Sequence, residues 1–204
     1  MKNTNGLFIT FEGPEASGKS SQIILLKKYL KKNKIPFLVT REPGGTIIAE
    51  KLRKIILYKK NKISSLEEIL LLMAARLNHI NYVIKPALKK GKIVISDRFA
   101  DSTFVYQGYV NGFGIRKTKD LHKKILNNFL PHKTFLFELD PKEIIKRLKK
   151  RKNKNKYDKQ DIKFHRKICL GYYKISKNQK RFVKINGNND KNTIHYNILK
   201  KLGL

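Results

Sequence analysis

The chain has 204 residues, 40% of them hydrophobic, with 47 Lys and Arg against 15 Asp and Glu for a formal net charge of +32. That length supports one α/β domain with a substantial core. No apolar run approaches a membrane span, and the one cysteine, Cys169, excludes an intrachain disulfide and a cysteine zinc cluster. The charge invites a nucleic-acid or anionic-membrane surface. Lys, however, greatly outnumbers Arg, is spread over most of the chain and comes with abundant Asn and Ile. This favours compositional drift over a specific nucleic-acid partner, which would gather Arg and aromatics on one element.

In chain order, Met1 to Gly6 carries no hydrophobic leader, so a cytoplasmic location is expected. Leu7 to Phe11 is a short apolar run that predicts a buried strand, and Ile23, Ile24, Leu25, Tyr29 and Leu30 recur at helical spacing. Between them, Gly13-Pro14-Glu15-Ala16-Ser17-Gly18-Lys19-Ser20 fits the phosphate-binding pattern G-x-x-x-x-G-K-[ST]. Each residue type has a reason. Gly13 and Gly18 permit torsions and close approaches that a Cβ would block. The loop N–H groups converge on phosphate oxygens at the positive end of the helix. Lys19 brings a point charge to the β/γ-phosphates, and the Ser20 hydroxyl is a Mg²⁺ ligand.

Phe37 to Thr40 predicts a second strand, followed by the Pro43-Gly44-Gly45 turn and Thr46 as N-cap of a helix over Ile47 to Ile56. Arg41, at a strand's carboxyl end, is placed either for a substrate anion or for a salt bridge with Glu42. Ser65 to about Leu88 predicts one long core helix. Buried in it, Arg76 needs an acceptor, from a ligand, Glu67 or a backbone carbonyl. Lys92 to Arg98 predicts a strand ending in Asp97, either a Mg²⁺-organising carboxylate or a cap of the next helix. Asp101 to Gly108 clusters hydrogen-bonding side chains suited to a base or sugar. Lys133 to Pro141 reads as a strand, and Ile144, Ile145 and Leu148 mark its partner helix. Lys149 to Lys159 is densely cationic and almost devoid of apolar residues, which predicts a mobile lid loop over roughly 149–160. Phe164, Ile168, Tyr172 and Ile175 resume a helix, with Cys169 as a small core residue on it. Arg181 to Gly187 is a last strand and Asn192 to Leu202 a closing helix. The alternation predicts a single α/β domain with a parallel sheet.

Together these motifs resemble the thymidylate kinase family over nearly the whole chain. The resemblance rests on Phe11-Glu12-Gly13 to Ser20, Thr40 to Thr46, Ala75-Arg76, Asp97-Arg98 with Asp101-Ser102, Tyr106-Gln107-Gly108, and Phe164-His165 to Gly171-Tyr172. It implies γ-phosphoryl transfer from ATP to dTMP with Mg²⁺, a phosphate-loop fold with about five parallel strands, and a homodimer. By position, Glu15 would lie near the acceptor's sugar and phosphate, and Arg41 and Arg98 would hold that phosphate. Arg76 and Gln107 would bond the thymine edge. Tyr106 and Ser102 would contact the nucleotide, with Tyr106 disfavouring a 2′-hydroxyl. Asp97 would organise Mg²⁺ with Ser20. Ala16 occupies the loop position where some members carry the catalytic arginine. The chain thus resembles the lid type, with Arg151 as the lid arginine and Lys156 where a second arginine is usual. Leu72 stands where related enzymes have Phe against thymine. The remaining alternatives are a different nucleoside monophosphate kinase, a basic nucleic-acid-binding phosphate-loop protein, and a catalytically silent regulator.

Overall fold

The structure is a computed structural model that describes residues 6–58, 61–152 and 157–204. Five strands form one parallel sheet: β1 (Leu7–Glu12), β2 (Phe37–Arg41), β3 (Ile93–Asp97), β4 (Lys133–Glu138) and β5 (Phe182–Asn186), in the order β2-β3-β1-β4-β5. The strands are short and rich in β-branched and aromatic residues, and the three central ones, β1, β3 and β4, are covered on both faces, while the edge strands β2 and β5 stay partly exposed. Phe8 joins one apolar layer, while Ile9 and Phe11 join another with Leu26 and Leu30 of α1 (Lys19–Lys32) and Ile194 and Ile198 of α9 (Lys191–Leu202).

The chain leaves β1 for β2, skipping the slot that β3 fills, and later places β4 on the other flank of β1. The carboxyl end of β1 is therefore the switch point of the sheet, where ligands bind in open α/β folds. Register brings the strand ends together: Phe11 pairs with Asp97, and Arg41 pairs with Asp97 from the other side.

Caps fix several helix starts. Thr46 accepts from the Ala49 N–H at 3.0 Å and opens α2 (Ile47–Leu57) as its residue type predicts. Ser64 and Glu67 form a reciprocal capping box on α3 (Ser65–His79), so Glu67 is spent on the cap and does not serve Arg76. The long helix expected over Ser65 to Leu88 is broken in its hydrogen bonding: a π segment at Ile80–Ile84 separates α3 from α4 (Lys85–Lys89). A second π segment, Phe104–Val110, follows α5 (Ala100–Thr103). Such π turns recur at functional sites, and this one carries Tyr106 and Gln107.

The chain then forms α6 (Ile115–Leu126), α7 (Pro141–Lys149) and α8 (Ile162–Ser176). The cationic segment begins where α7 ends, and Tyr157 to Lys159 form a turn before α8. Lys156 lies outside the described residues. Asp101 does not face a ligand, contrary to the reading of Asp101 to Gly108 as one polar cluster. It is fully buried and holds the Arg181 guanidinium through both carboxylate oxygens at 2.7 and 2.6 Å. This pair ties α5 to the start of β5.

Candidate active site

The loop from Gly13 to Ser20 leaves β1 at the switch point and ends on the first turn of α1. Gly13 has φ +134° there, and an added Cβ would lie 2.4 Å from the Phe137 carbonyl oxygen, so glycine is required on both grounds. Lys19 is buried. Its Nζ donates to the Gly13 and Pro14 carbonyls at 3.0 and 2.6 Å. Burial and the neighbouring Arg98 push its pKa down to about 8, against the pull of Asp97, Glu15 and Glu12. The Ser20 hydroxyl lies 3.4 Å from Asp97 Oδ2. A hydroxyl and a carboxylate beside a phosphate cradle are hard oxygen donors suited to Mg²⁺. Among the described residues no group of three His, Cys, Asp or Glu gathers at one point.

Arg98 is the hub. It adopts a left-handed backbone, φ 68°, rare for a side chain of its size. Its guanidinium donates to Glu15 Oε1 at 2.9 Å, Ser102 Oγ at 3.0 Å, the Gly13 carbonyl at 3.1 Å and Tyr172 Oη at 3.2 Å. Glu15 also accepts from Tyr106 Oη at 2.6 Å. Burial alone would raise the Glu15 carboxyl, but Arg98, Lys19 and the Tyr106 hydroxyl bring it below the ordinary value and keep it ionised.

Beneath them lies Glu12, a fully buried carboxylate accepting from the Phe99 N–H at 2.7 Å, Ser102 Oγ at 2.6 Å and Tyr172 Oη at 2.9 Å. Burial, then repulsion from Asp101, pushes its pKa from 4.5 up to about 7. The folded chain thus holds a proton that the unfolded chain has already released. Glu12's contribution is complete below its unfolded pKa and is lost as pH rises to about 7. Relative to Glu12→Gln, which cannot titrate, the unmodified chain should lose unfolding free energy across that window. Denaturant melts at several pH values read this, and a constant difference between the two proteins contradicts it.

Two concavities meet at Arg98. The larger follows the loop and is walled by Lys19, Arg41, Arg53, Arg98, Arg147 and Arg151, opposed by the carboxylates Glu15, Glu42 and Asp97. Such an excess of cations focuses a positive field suited to phosphates. The second is a recess whose walls include Leu72, Phe99, Arg76, Ser102, Tyr106 and Gln107, the mix of apolar surface and a few converging polar groups that suits a small molecule. Glu15, Glu42, Pro43, Leu57, Arg98 and Tyr157 line both.

Every described residue given a nucleotide or Mg²⁺ role by the resemblance reaches one of these two spaces or the loop, whereas Asp101 does not, and some partners differ. Arg41 pairs with Glu50 at 3.0 Å, not with Glu42. Glu42 instead accepts from Arg76 Nε at 2.6 Å and meets His79 Nδ1 at 2.9 Å. Arg76 also donates to Thr103 Oγ1 at 2.8 Å. Arg151 donates to Asp158 at 3.1 Å, with about half of its side chain exposed. Sequence reasoning assigned no site role to Glu12, Glu42, Arg53 or Tyr157, although Glu12 and Glu42 stand within quoted motifs. Glu12 carried a usable signal, an acid ending an otherwise apolar strand, since a buried carboxylate needs several donors.

A phosphate loop at the switch point of a parallel sheet, with a separate recess beside it, is the arrangement of a P-loop kinase, an ATP-dependent phosphotransferase. The thymidylate kinase family profile matches residues 11–198. The thymidylate kinase of Thermoanaerobacter sp. (strain X514) is 42% identical over 195 residues, 95% of this chain and 96% of that one. That of Rickettsia typhi is 43% identical over 175 residues, 86% and 85% of the two chains. The crystal structure of thymidylate kinase from Ehrlichia chaffeensis superposes with a TM-score of 0.77 at 34% identity, covering 98% of this chain and 100% of that one. The chain belongs to the thymidylate kinase family. No helix among the described residues is long and apolar enough to cross a membrane.

Proposed function

We propose that this protein is a cytoplasmic, homodimeric, single-domain enzyme that transfers the γ-phosphoryl group of ATP to dTMP, giving dTDP and ADP. The observation that carries the reading is Arg98, which lines both the phosphate cleft and the apolar recess. A guanidinium at that junction suits the phosphate of an acceptor whose base occupies the recess. The N–H groups of Gly13 to Ser20 cradle the ATP phosphates, and Lys19 neutralises the β/γ charge. Arg98, with Arg41, holds the acceptor phosphate in line. Arg76 and Gln107 present donors to the base, with Leu72 against its face. Arg76 is preorganised for this by Glu42 and Thr103. Ser102 and Glu15 orient Arg98 from either side. Arg151 reaches the transferring group. Ser20 and Asp97 would hold Mg²⁺, which when bound neutralises phosphate charge and orients the leaving group. Protein groups here align and neutralise, and no covalent intermediate is needed.

The dimer reading draws on α2 and α3, which leave Ile47, Ile48, Leu66, Leu70 and Leu77 exposed. Large apolar side chains gathered on neighbouring helices suit a second copy.

Coupled ADP release with dTMP, dUMP, UMP, CMP, AMP and GMP tests the substrate. dTMP should give the highest kcat/KM, and a different preferred nucleotide overturns the reading. Tyr106 carries a further expectation. Its hydroxyl is fixed on Glu15 and its ring lies 5.2 Å from the Arg98 guanidinium, which holds it rigidly at the recess wall. A rigid ring crowding the sugar favours the deoxy acceptor. Tyr106→Ala should shrink the deoxy-to-ribo ratio of kcat/KM by about tenfold. An unchanged ratio removes that role, whatever happens to the absolute rate.

A further inference from the structure

Tyr157 is unused by the reading above, yet it lines both the recess and the phosphate cleft. Its hydroxyl donates to Glu68 Oε1 at 3.0 Å and lies 3.5 Å from Gln107 Nε2. Glu68 is four residues before Leu72 on α3, hence on the same helical face. The Tyr157 ring meets Tyr106 edge-on at 5.1 Å and runs nearly parallel to Phe164 at 6.3 Å. The other two aromatic residues of the recess are committed elsewhere. Phe99 is buried beneath the Arg76 guanidinium, 5.1 Å from its ring, and Tyr106 serves Arg98 and Glu15. Leu72 has no ring face to offer.

We propose that Tyr157 is a specificity-determining residue that supplies the aromatic wall of the acceptor recess, doing from the segment before α8 what Leu72 cannot do from α3. A planar base fits between an aliphatic floor and an aromatic wall, because every base has a π-face to set against a ring. The hydroxyl bond to Glu68 orients that wall, and Phe164 backs it. The inference rests on the recess being the acceptor's base site.

The chain contains no tryptophan, so Tyr157→Trp places a single indole reporter at the wall. Its emission should shift saturably with dTMP and stay unchanged with 2-deoxyribose 5-phosphate, which has no base. Tyr157→Leu should raise KM for dTMP about tenfold while leaving KM for ATP unchanged, since loss of one base–aromatic contact costs roughly that factor or more. Tyr157→Phe keeps the ring and should stay closer to the unmodified enzyme. Leu72→Phe in the Tyr157→Leu background should recover part of the loss. Melting temperatures of the variants exclude a folding defect as the cause. The proposal is overturned if the unmodified enzyme phosphorylates dTMP while Tyr157→Leu keeps its KM and the indole ignores the base. If the unmodified chain phosphorylates no dTMP, the acceptor reading itself falls and takes this inference with it.

Discussion

Lys19→Ala is expected to lower phosphoryl transfer by roughly a thousandfold or more while leaving the fold intact. The magnitude follows from what the ammonium does. One fixed donor aimed at developing charge is worth about 10²–10³ in rate, and Lys19 adds a full charge that also serves ATP binding. Fold retention follows from its contacts. Among the described residues Nζ donates to loop oxygens, those of Gly13, Pro14 and Ser17, and Lys19 is no part of the apolar layers. The pKa of about 8 gives the expectation a second handle. As pH rises through that value the free enzyme loses the charge, so kcat/KM for ATP should decline on the alkaline side. Bound phosphates favour the protonated form and move the decline in kcat to higher pH. Near-normal turnover by a folded Lys19→Ala protein would refute the assignment.

Arg151→Ala should lower kcat by about a hundredfold with little change in dTMP affinity, the signature of a contact made mainly in the transition state. Arg151 is half-exposed at the rim of the phosphate cleft, and its Asp158 anchor has a fully buried side chain. A buried carboxylate holding a guanidinium on an open rim sets a direction for the arginine. Arg147 lies in the same cleft, but its guanidinium is spent on Glu143 at 3.0 Å, the Gly187 carbonyl at 3.1 Å and the Ala16 carbonyl at 3.4 Å. Those bonds brace the loop from α7. Single-turnover and steady-state rates with ATP and dTMP separate the two. An unchanged kcat in Arg151→Ala transfers the role to Arg147 or Lys156.

What the sequence made legible was local. The phosphate loop, the Thr46 cap and the strand-terminal Arg41, Asp97 and Arg98 are encoded over a few contiguous residues, where spacing and residue type leave little choice. Partners across the fold were not legible. Arg76 finds Glu42, 34 residues away, because the Glu42–Gly45 turn folds back over α3, and Glu67 was already engaged in capping. Asp101 meets Arg181 only once β4 and β5 pair. The π segments escaped because a five-residue hydrogen-bond step alters the apolar spacing too little to read. The helix α6 drew no assignment from the sequence for a different reason. Its buried residues are Thr118, His122 and Leu126, so two of three positions on the inward face are polar. His122 is buried with Nε2 3.0 Å from the Phe129 carbonyl, and burial, then Arg76, pushes its pKa down to about 4. A neutral histidine fills that place, where a count of apolar residues registers nothing.

The central claim is that a nucleotide in the recess receives a phosphoryl group from ATP in the cleft, across Arg98. The most direct measurement follows the label from [γ-³²P]ATP incubated with the purified chain, Mg²⁺ and dTMP. Label should appear in dTDP in one-to-one proportion with ADP, should require dTMP, and should be abolished by Arg98→Ala. Label released as inorganic phosphate at the same rate with or without dTMP, and none in dTDP, would contradict the claim.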